Sequence, residues 1–92
     1  MTFSTVDANT FSDLATGVTV KVMGKVGITY KLGKRSAMVS SEVLVTNAIA
    51  VYSNSITNWD DGNPITDAER ERILDDIREA ISQCTGDTIQ VI

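Results

Sequence analysis

Residues 17–32 read GVTVKVMGKVGITYKL, two runs in which apolar and polar side chains alternate. Val18, Val20 and Val22 oppose Thr19, Lys21 and Met23 in the first run; Val26, Ile28, Tyr30 and Leu32 oppose Gly27, Thr29 and Lys31 in the second. A period of two sends successive side chains to opposite faces of a sheet, so each run predicts a strand with one buried face. Gly24 and Lys25 between them put glycine at the first central position of a type II′ turn, which joins antiparallel neighbours. A β-hairpin is the starting unit of the fold.

Toward higher numbers, Gly33, Lys34 and Arg35 form a second turn. Residues 37–45 and 48–56, rich in Val, Ile and small side chains and broken at Thr46 and Asn47, predict two further strands of a meander. Asp60, Asp61, Gly62, Asn63 and Pro64 make a dense turn. Thr66 then has the character of a helix N-cap, with Glu69 three residues on to complete a capping box, and Asp67 and Glu69 complement the positive end of the helix dipole. Ile73, Leu74, Ile77, Ala80, Ile81 and Cys84 form one apolar stripe, opposed by a polar face that includes Arg70, Glu71, Arg72, Asp75, Asp76, Arg78 and Glu79. Gly86 suits the left-handed residue that ends a helix. Ile89 and Val91 alternate with polar neighbours in a short final strand. If that strand lies at an edge, its unpaired backbone offers a route to a homodimer. Toward lower numbers the periodicity weakens, and residues 1–16 are either a partly ordered arm or a short edge strand around Phe3–Val6.

Strands in a run, one helix and a last strand, without regular βα alternation, predict an α+β fold: a two-layer domain with an antiparallel β-meander of four to five strands packed by one C-terminal amphipathic helix. Ninety-two residues accommodate one domain, here 1–92. The single cysteine, Cys84, excludes an intramolecular disulfide and fits a reducing setting; with no basic cluster and apolar run in residues 1–14, no secretory signal is expected and the cytoplasm is the expected location. No apolar stretch is long enough to cross a bilayer, so no membrane role is expected.

The net charge of −4 conceals an asymmetry. Residues 1–58 carry Lys21, Lys25, Lys31, Lys34 and Arg35 against Asp7, Asp13 and Glu42, a balance of +2; residues 59–92 carry nine acids against Arg70, Arg72 and Arg78, a balance of −6. An acidic lobe repels nucleic acid and steers basic proteins toward itself, although an exposed helix is also charged for solubility alone.

Catalytic machinery is hard to find. There is no histidine, so neither the commonest general base nor a Cys/His zinc site is present. Cys84 closes an apolar stripe with no neighbouring base and reads as a structural thiol. Asp75 and Asp76 are sequence neighbours, which diverge on a helix. Asp60, Asp61 and their loop lack the alternating ligands of a calcium site. No glycine motif for a nucleotide occurs, so no catalytic residue, cofactor or metal is expected. Two residues carry a choice. Glu42, in an apolar segment, either points to solvent, pairs with a Lys or Arg, or meets a partner. Trp59, the sole tryptophan, either plugs the sheet-to-helix junction or anchors a partner beside Asp60 and Asp61.

Lys34 and Arg35 with the segment Ser41, Glu42, Val43, Leu44, then Val51, Tyr52, Ser53, Ser55 and Ile56, then Trp59, Pro64 and Ile65, then Glu69, Arg70, Ile73, Leu74 and Ile77 form a pattern that resembles the immunity protein 74 family of bacterial polymorphic toxin systems. The likeness covers residues 33–92. It implies a small α+β antidote that binds and blocks a cognate toxin domain, often a nuclease, with Trp59 as anchor and Glu42 and Glu69 as polar contacts or supports. Asp60, Asp61, Asp75 and Asp76 join these candidates on electrostatic grounds, because carboxylates suit a basic toxin surface. The alternative is a small structural homo-oligomer or phage-related assembly component, and an enzyme using the carboxylates ranks last.

Overall fold

A computed structural model describes residues 2–24, 27–44 and 47–92. Among the described residues, eight strands and one α-helix follow in the order β1 (Ser4–Asp7), β2 (Thr10–Asp13), β3 (Val18–Val22), β4 (Ile28–Leu32), β5 (Arg35–Val39), β6 (Ser41–Val43), β7 (Ala48–Val51), α1 (Asp67–Thr85) and β8 (Thr88–Val91). The first five form an antiparallel meander, and β6, β7 and β8 form a second, smaller sheet. This is the α+β arrangement that the alternation and the single amphipathic helix predict.

The hairpin of residues 17–32 pairs Val18 with Leu32, Val20 with Tyr30 and Val22 with Ile28, which gathers the apolar side chains on one face. Val18, Val20, Ile28 and Tyr30 are fully buried there. The expected Gly24-Lys25 turn and the pairing of Val26 fall partly on residues 25 and 26, outside the described residues. Gly27 is required on two counts: its φ is +120°, and a Cβ would stand 2.5 Å from the Val39 carbonyl oxygen.

Residues 4–7 and 10–13 add two strands to the near side of this hairpin, and Phe3 and Phe11 enter the core. The weak periodicity there has a reason, since all four residues of β1 are exposed and leave no apolar alternation to read.

Past Arg35 the chain changes sheets. The expected strand 37–45 divides at Ser40, whose N–H donates to Ser55 Oγ at 2.9 Å and whose carbonyl accepts from the Tyr52 N–H at 3.0 Å. β5 therefore pairs with β4, while β6 pairs with β7. The expected break lies partly outside the described residues, at 45 and 46, although Asn47 is described with φ +46°. The strand expected over 48–56 ends at Val51, and Ser53–Ser55 form a 3₁₀ turn in which Ser55 Oγ donates to the Tyr52 carbonyl at 2.6 Å. Serine hydroxyls that bond nearby backbone compete with ladder formation, which explains the early stop.

The helix has the anticipated boundaries. Thr66 Oγ1 accepts from the Glu69 N–H at 3.1 Å, Glu69 Oε1 accepts from the Thr66 N–H at 2.9 Å, and Gly86 ends the helix at φ +77°. Between β7 and β8 the helix serves as the crossover that a parallel pair needs, and β8 runs parallel to β7 at the sheet's edge. Ile73, Ile77, Ala80 and Ile81 join the inner face of the meander, Ile49 and Val51 of the second sheet, and Ile56, Trp59 and Ile65 in one contiguous core. Among the described residues, no helix is long and apolar enough to cross a membrane.

Candidate functional site

The seven residues singled out from the sequence occupy four different environments. Four of them meet at the junction between the second sheet and α1. Here the chain doubles back through an Asn58–Pro64 bridge, with the Trp59 N–H on the Asn63 carbonyl and the Gly62 N–H on the Trp59 carbonyl, both at 2.9 Å. Asp60 fastens this loop to the margin of β5: its N–H donates to the Ser36 carbonyl at 2.8 Å and its Oδ1 accepts from the Ser36 N–H at 3.1 Å. That backbone donor holds the Asp60 carboxyl below its ordinary pKa.

Trp59 is consequently buried, only 3% exposed, with its ring 6.3 Å from that of Tyr30. The Arg35 guanidinium covers the ring at 4.4 Å from its centroid and approaches Asp61 at 3.5 Å and Glu69 at 3.7 Å. Stacking a cation on indole while two carboxylates flank it satisfies the charge on three sides. These ion pairs are partly solvated, so each contributes on the order of 0.2–1 kcal/mol. Glu69 is held below its ordinary pKa first by the Thr66 N–H, with Arg35 as a lesser cause. The indole N–H lies close enough to Glu69 to add to this effect, yet neither it nor Arg35 Nε has an aligned hydrogen bond among the described residues. Trp59 thus sits beneath Arg35 as a plug of the junction, and Arg35 is the side chain presented above it.

Asp76 requires a correction. Assigned from sequence to the solvent face of the helix, it is 4% exposed and accepts a 2.5 Å hydrogen bond from Tyr30 Oη, with Arg72 Nε 3.8 Å away. Its position explains this, since Asp76 lies three residues after Ile73 and four before Ala80, within the apolar stripe. Burial pushes the Asp76 carboxyl above its ordinary pKa despite the opposing influence of Tyr30 and Arg72, and burial together with Asp76 pushes the Tyr30 phenol up as well. Asp75 points elsewhere: its side chain is 72% exposed and bonds Arg78 at 3.1 Å.

Glu42 belongs to the second sheet. It is exposed on β6 and accepts a 2.9 Å hydrogen bond from Tyr52 Oη, which raises the Tyr52 pKa. The pair borders an open groove of about 570 Å³ lined by Gly24, Ser41, Glu42, Val43 and Tyr52 among the described residues. Tyr52 was legible only as part of a family pattern, and nothing in the local sequence announced its bond to Glu42.

The acidic half is less negative in effect than its composition suggests. Asp67 pairs with Arg70 at 2.6 Å, Asp75 with Arg78 and Asp76 with Arg72, while Arg35 crosses from the basic half to meet Asp61 and Glu69. Among the described residues, no three His, Cys, Asp or Glu side chains come together in a group able to hold a metal ion. The arrangement offers a charged surface, with Tyr52 half-buried beside Glu42 and most of the marked carboxylates engaged internally.

Comparison with known proteins adds one match. The family model described as immunity protein 74 matches residues 19–91, from within β3 to the end of β8, and leaves the β1–β2 hairpin outside. No curated protein and no solved structure matches significantly. The matched span includes both sheets, the Arg35–Trp59 junction and the whole helix, and on that extent the chain belongs to the immunity protein 74 family.

Proposed function

We propose that this protein is an antidote: a non-catalytic, cytoplasmic binding protein that attaches to a cognate bacterial toxin domain and neutralises it by occlusion. The observation that carries the reading is the family match across residues 19–91. The internal use of the marked carboxylates supports the non-catalytic part of the reading, because Asp60 secures a loop, Glu69 closes a capping box and Asp76 bonds Tyr30. In this reading Trp59, Asp60, Asp76 and Glu69 hold the frame, while Asp75, Asp61 and Glu42 are the residues that reach the toxin. A basic toxin domain, such as a nuclease with a positive substrate surface, is the partner that exposed carboxylates suit.

The test is to produce the toxin domain of the same locus in a bacterial host, with this protein or with its Asp75→Lys and Glu42→Lys variants. Wild type should restore growth and co-elute with the toxin as a stable complex, and the charge-reversed double variant should bind about tenfold or more weakly. Failure of wild type to restore growth or to bind sinks the reading. Self-association in the absence of toxin would instead favour the homo-oligomer.

A further inference from the structure

The second sheet ends in a strand that lacks the usual protection of an edge. Elsewhere the margins are managed: the β1 edge is interrupted by a bulge between Thr5 and Asp7, the Asp60 segment bonds to Ser36 at the β5 margin, and the β6 edge is only three residues long with the charged Glu42 at its centre. β8 has a regular register with β7 and contains no Pro, Lys or bulge. The Thr88 and Ile92 N–H groups donate to the Asn47 and Val51 carbonyls, and the Ile92 carbonyl accepts from Ser53. In a parallel ladder alternate residues bond a given neighbour, so Ile89 and Val91 direct their N–H and C=O groups to the open side.

Beside this edge runs the flank of α1. Two depressions of about 320 and 290 Å³ meet at Arg78; Glu71, Leu74, Asp75 and Val91 line one, while Ser82, Asp87, Thr88 and Ile89 line the other. Val91 is 41% exposed and Leu74 half-buried, so the seam provides apolar contact as well as unpaired backbone. Its charged border consists of Glu71, Asp75 and Asp87 against Arg78, whose guanidinium already bonds Asp75.

We infer that the β8 edge and the adjoining α1 flank receive an extended segment of the toxin, which adds to the sheet as a further strand and turns basic side chains toward Glu71, Asp75 and Asp87. Backbone bonding to Ile89 and Val91 supplies the attachment, and the carboxylate border supplies the preference for a basic segment. A second copy fits this seam less well, since pairing β8 with itself would bring two net-negative borders together. The identity of the partner rests on the antidote reading; the chemistry of the edge does not.

The test uses the whole protein and short synthetic peptides that alternate lysine and valine, with glutamate and valine peptides as the counterpart. Amide hydrogen exchange at Ile89 and Val91 should slow about tenfold with the lysine peptide, and less in high salt, but not with the glutamate peptide. Val91→Pro removes an outward N–H that has no internal partner, a place where an edge strand tolerates proline. It should abolish the slowing while leaving the unfolding midpoint near that of wild type. The inference is overturned by absence of slowing, by equal slowing with both peptides, or by protection in the free protein that grows with its concentration, which would mean a second copy. Toxin neutralised equally by wild type and Val91→Pro overturns it too while the antidote reading stands. Failure of wild type to neutralise removes that reading, and the peptide measurement still decides the edge.

Discussion

Replacing Tyr30 by Phe isolates one buried polar contact. The Tyr30 ring is fully buried and its hydroxyl donates at 2.5 Å to Asp76, which is itself 4% exposed. Phe fills nearly the same volume, so the packing term is small and the loss is that of a hydrogen bond to a charged group, about 1.5–3 kcal/mol. Arg72 cannot replace the donor well, because it stands 3.8 Å away with a side chain more than half exposed. For a domain of this size a loss of about 2 kcal/mol lowers Tm by roughly 10 °C. The deficit should also depend on pH. Tyr30 favours the ionised carboxylate, so its removal raises the folded pKa of Asp76 further. A raised folded pKa retains its contribution below the unfolded value and loses it as pH rises, so the variant should fall further behind wild type as pH climbs above the ordinary aspartate value of 3.8. Urea unfolding across that range measures both effects. A deficit under about 0.5 kcal/mol, or one that shrinks as pH rises, would refute the assignment of Tyr30 as the principal donor to a buried charge.

Asp76→Asn should gain stability relative to wild type as pH rises above the ordinary aspartate value of 3.8, because it removes a carboxyl whose ionisation is disfavoured by burial; thermal melts at several pH values check the trend, and a relative loss would mean that Arg72 and Tyr30 outweigh burial. Trp59→Ala should cost about 3–5 kcal/mol by emptying the junction beneath Arg35, seen as a lowered urea midpoint, so that loss of toxin binding by this variant reports on folding. Gly27→Ala should destabilise by at least about 2 kcal/mol, since φ is +120° and the new methyl would meet the Val39 carbonyl at 2.5 Å; chemical denaturation would show it.

Local signals in the chain were sufficient wherever a repeating pattern met a single environment. Alternation in residues 18–32 determined two strands and their buried face, because a side-chain period of two has only one way to bury Val18, Val20, Ile28 and Tyr30 together. Thr66, Glu69 and Gly86 determined both ends of the helix, because caps are made by residues within one turn. What escaped were contacts between distant segments. Ser40 passes the chain from one sheet to the other through Ser55 and Tyr52, and Arg35 meets Trp59, Asp61 and Glu69 across the junction. Asp76 had a partial signal in its spacing from Ile73 and Ala80, but its polarity argued for solvent, and the hydrogen bond from Tyr30, 46 positions away, is the contact that local sequence could not show. The sequence by itself determined the elements, the core stripe and the absence of histidine chemistry. Tertiary structure alone decided which carboxylates are buried or tied to the frame and which stay exposed, and that β8 lies at a sheet edge, because both depend on what other segments place within hydrogen-bonding distance.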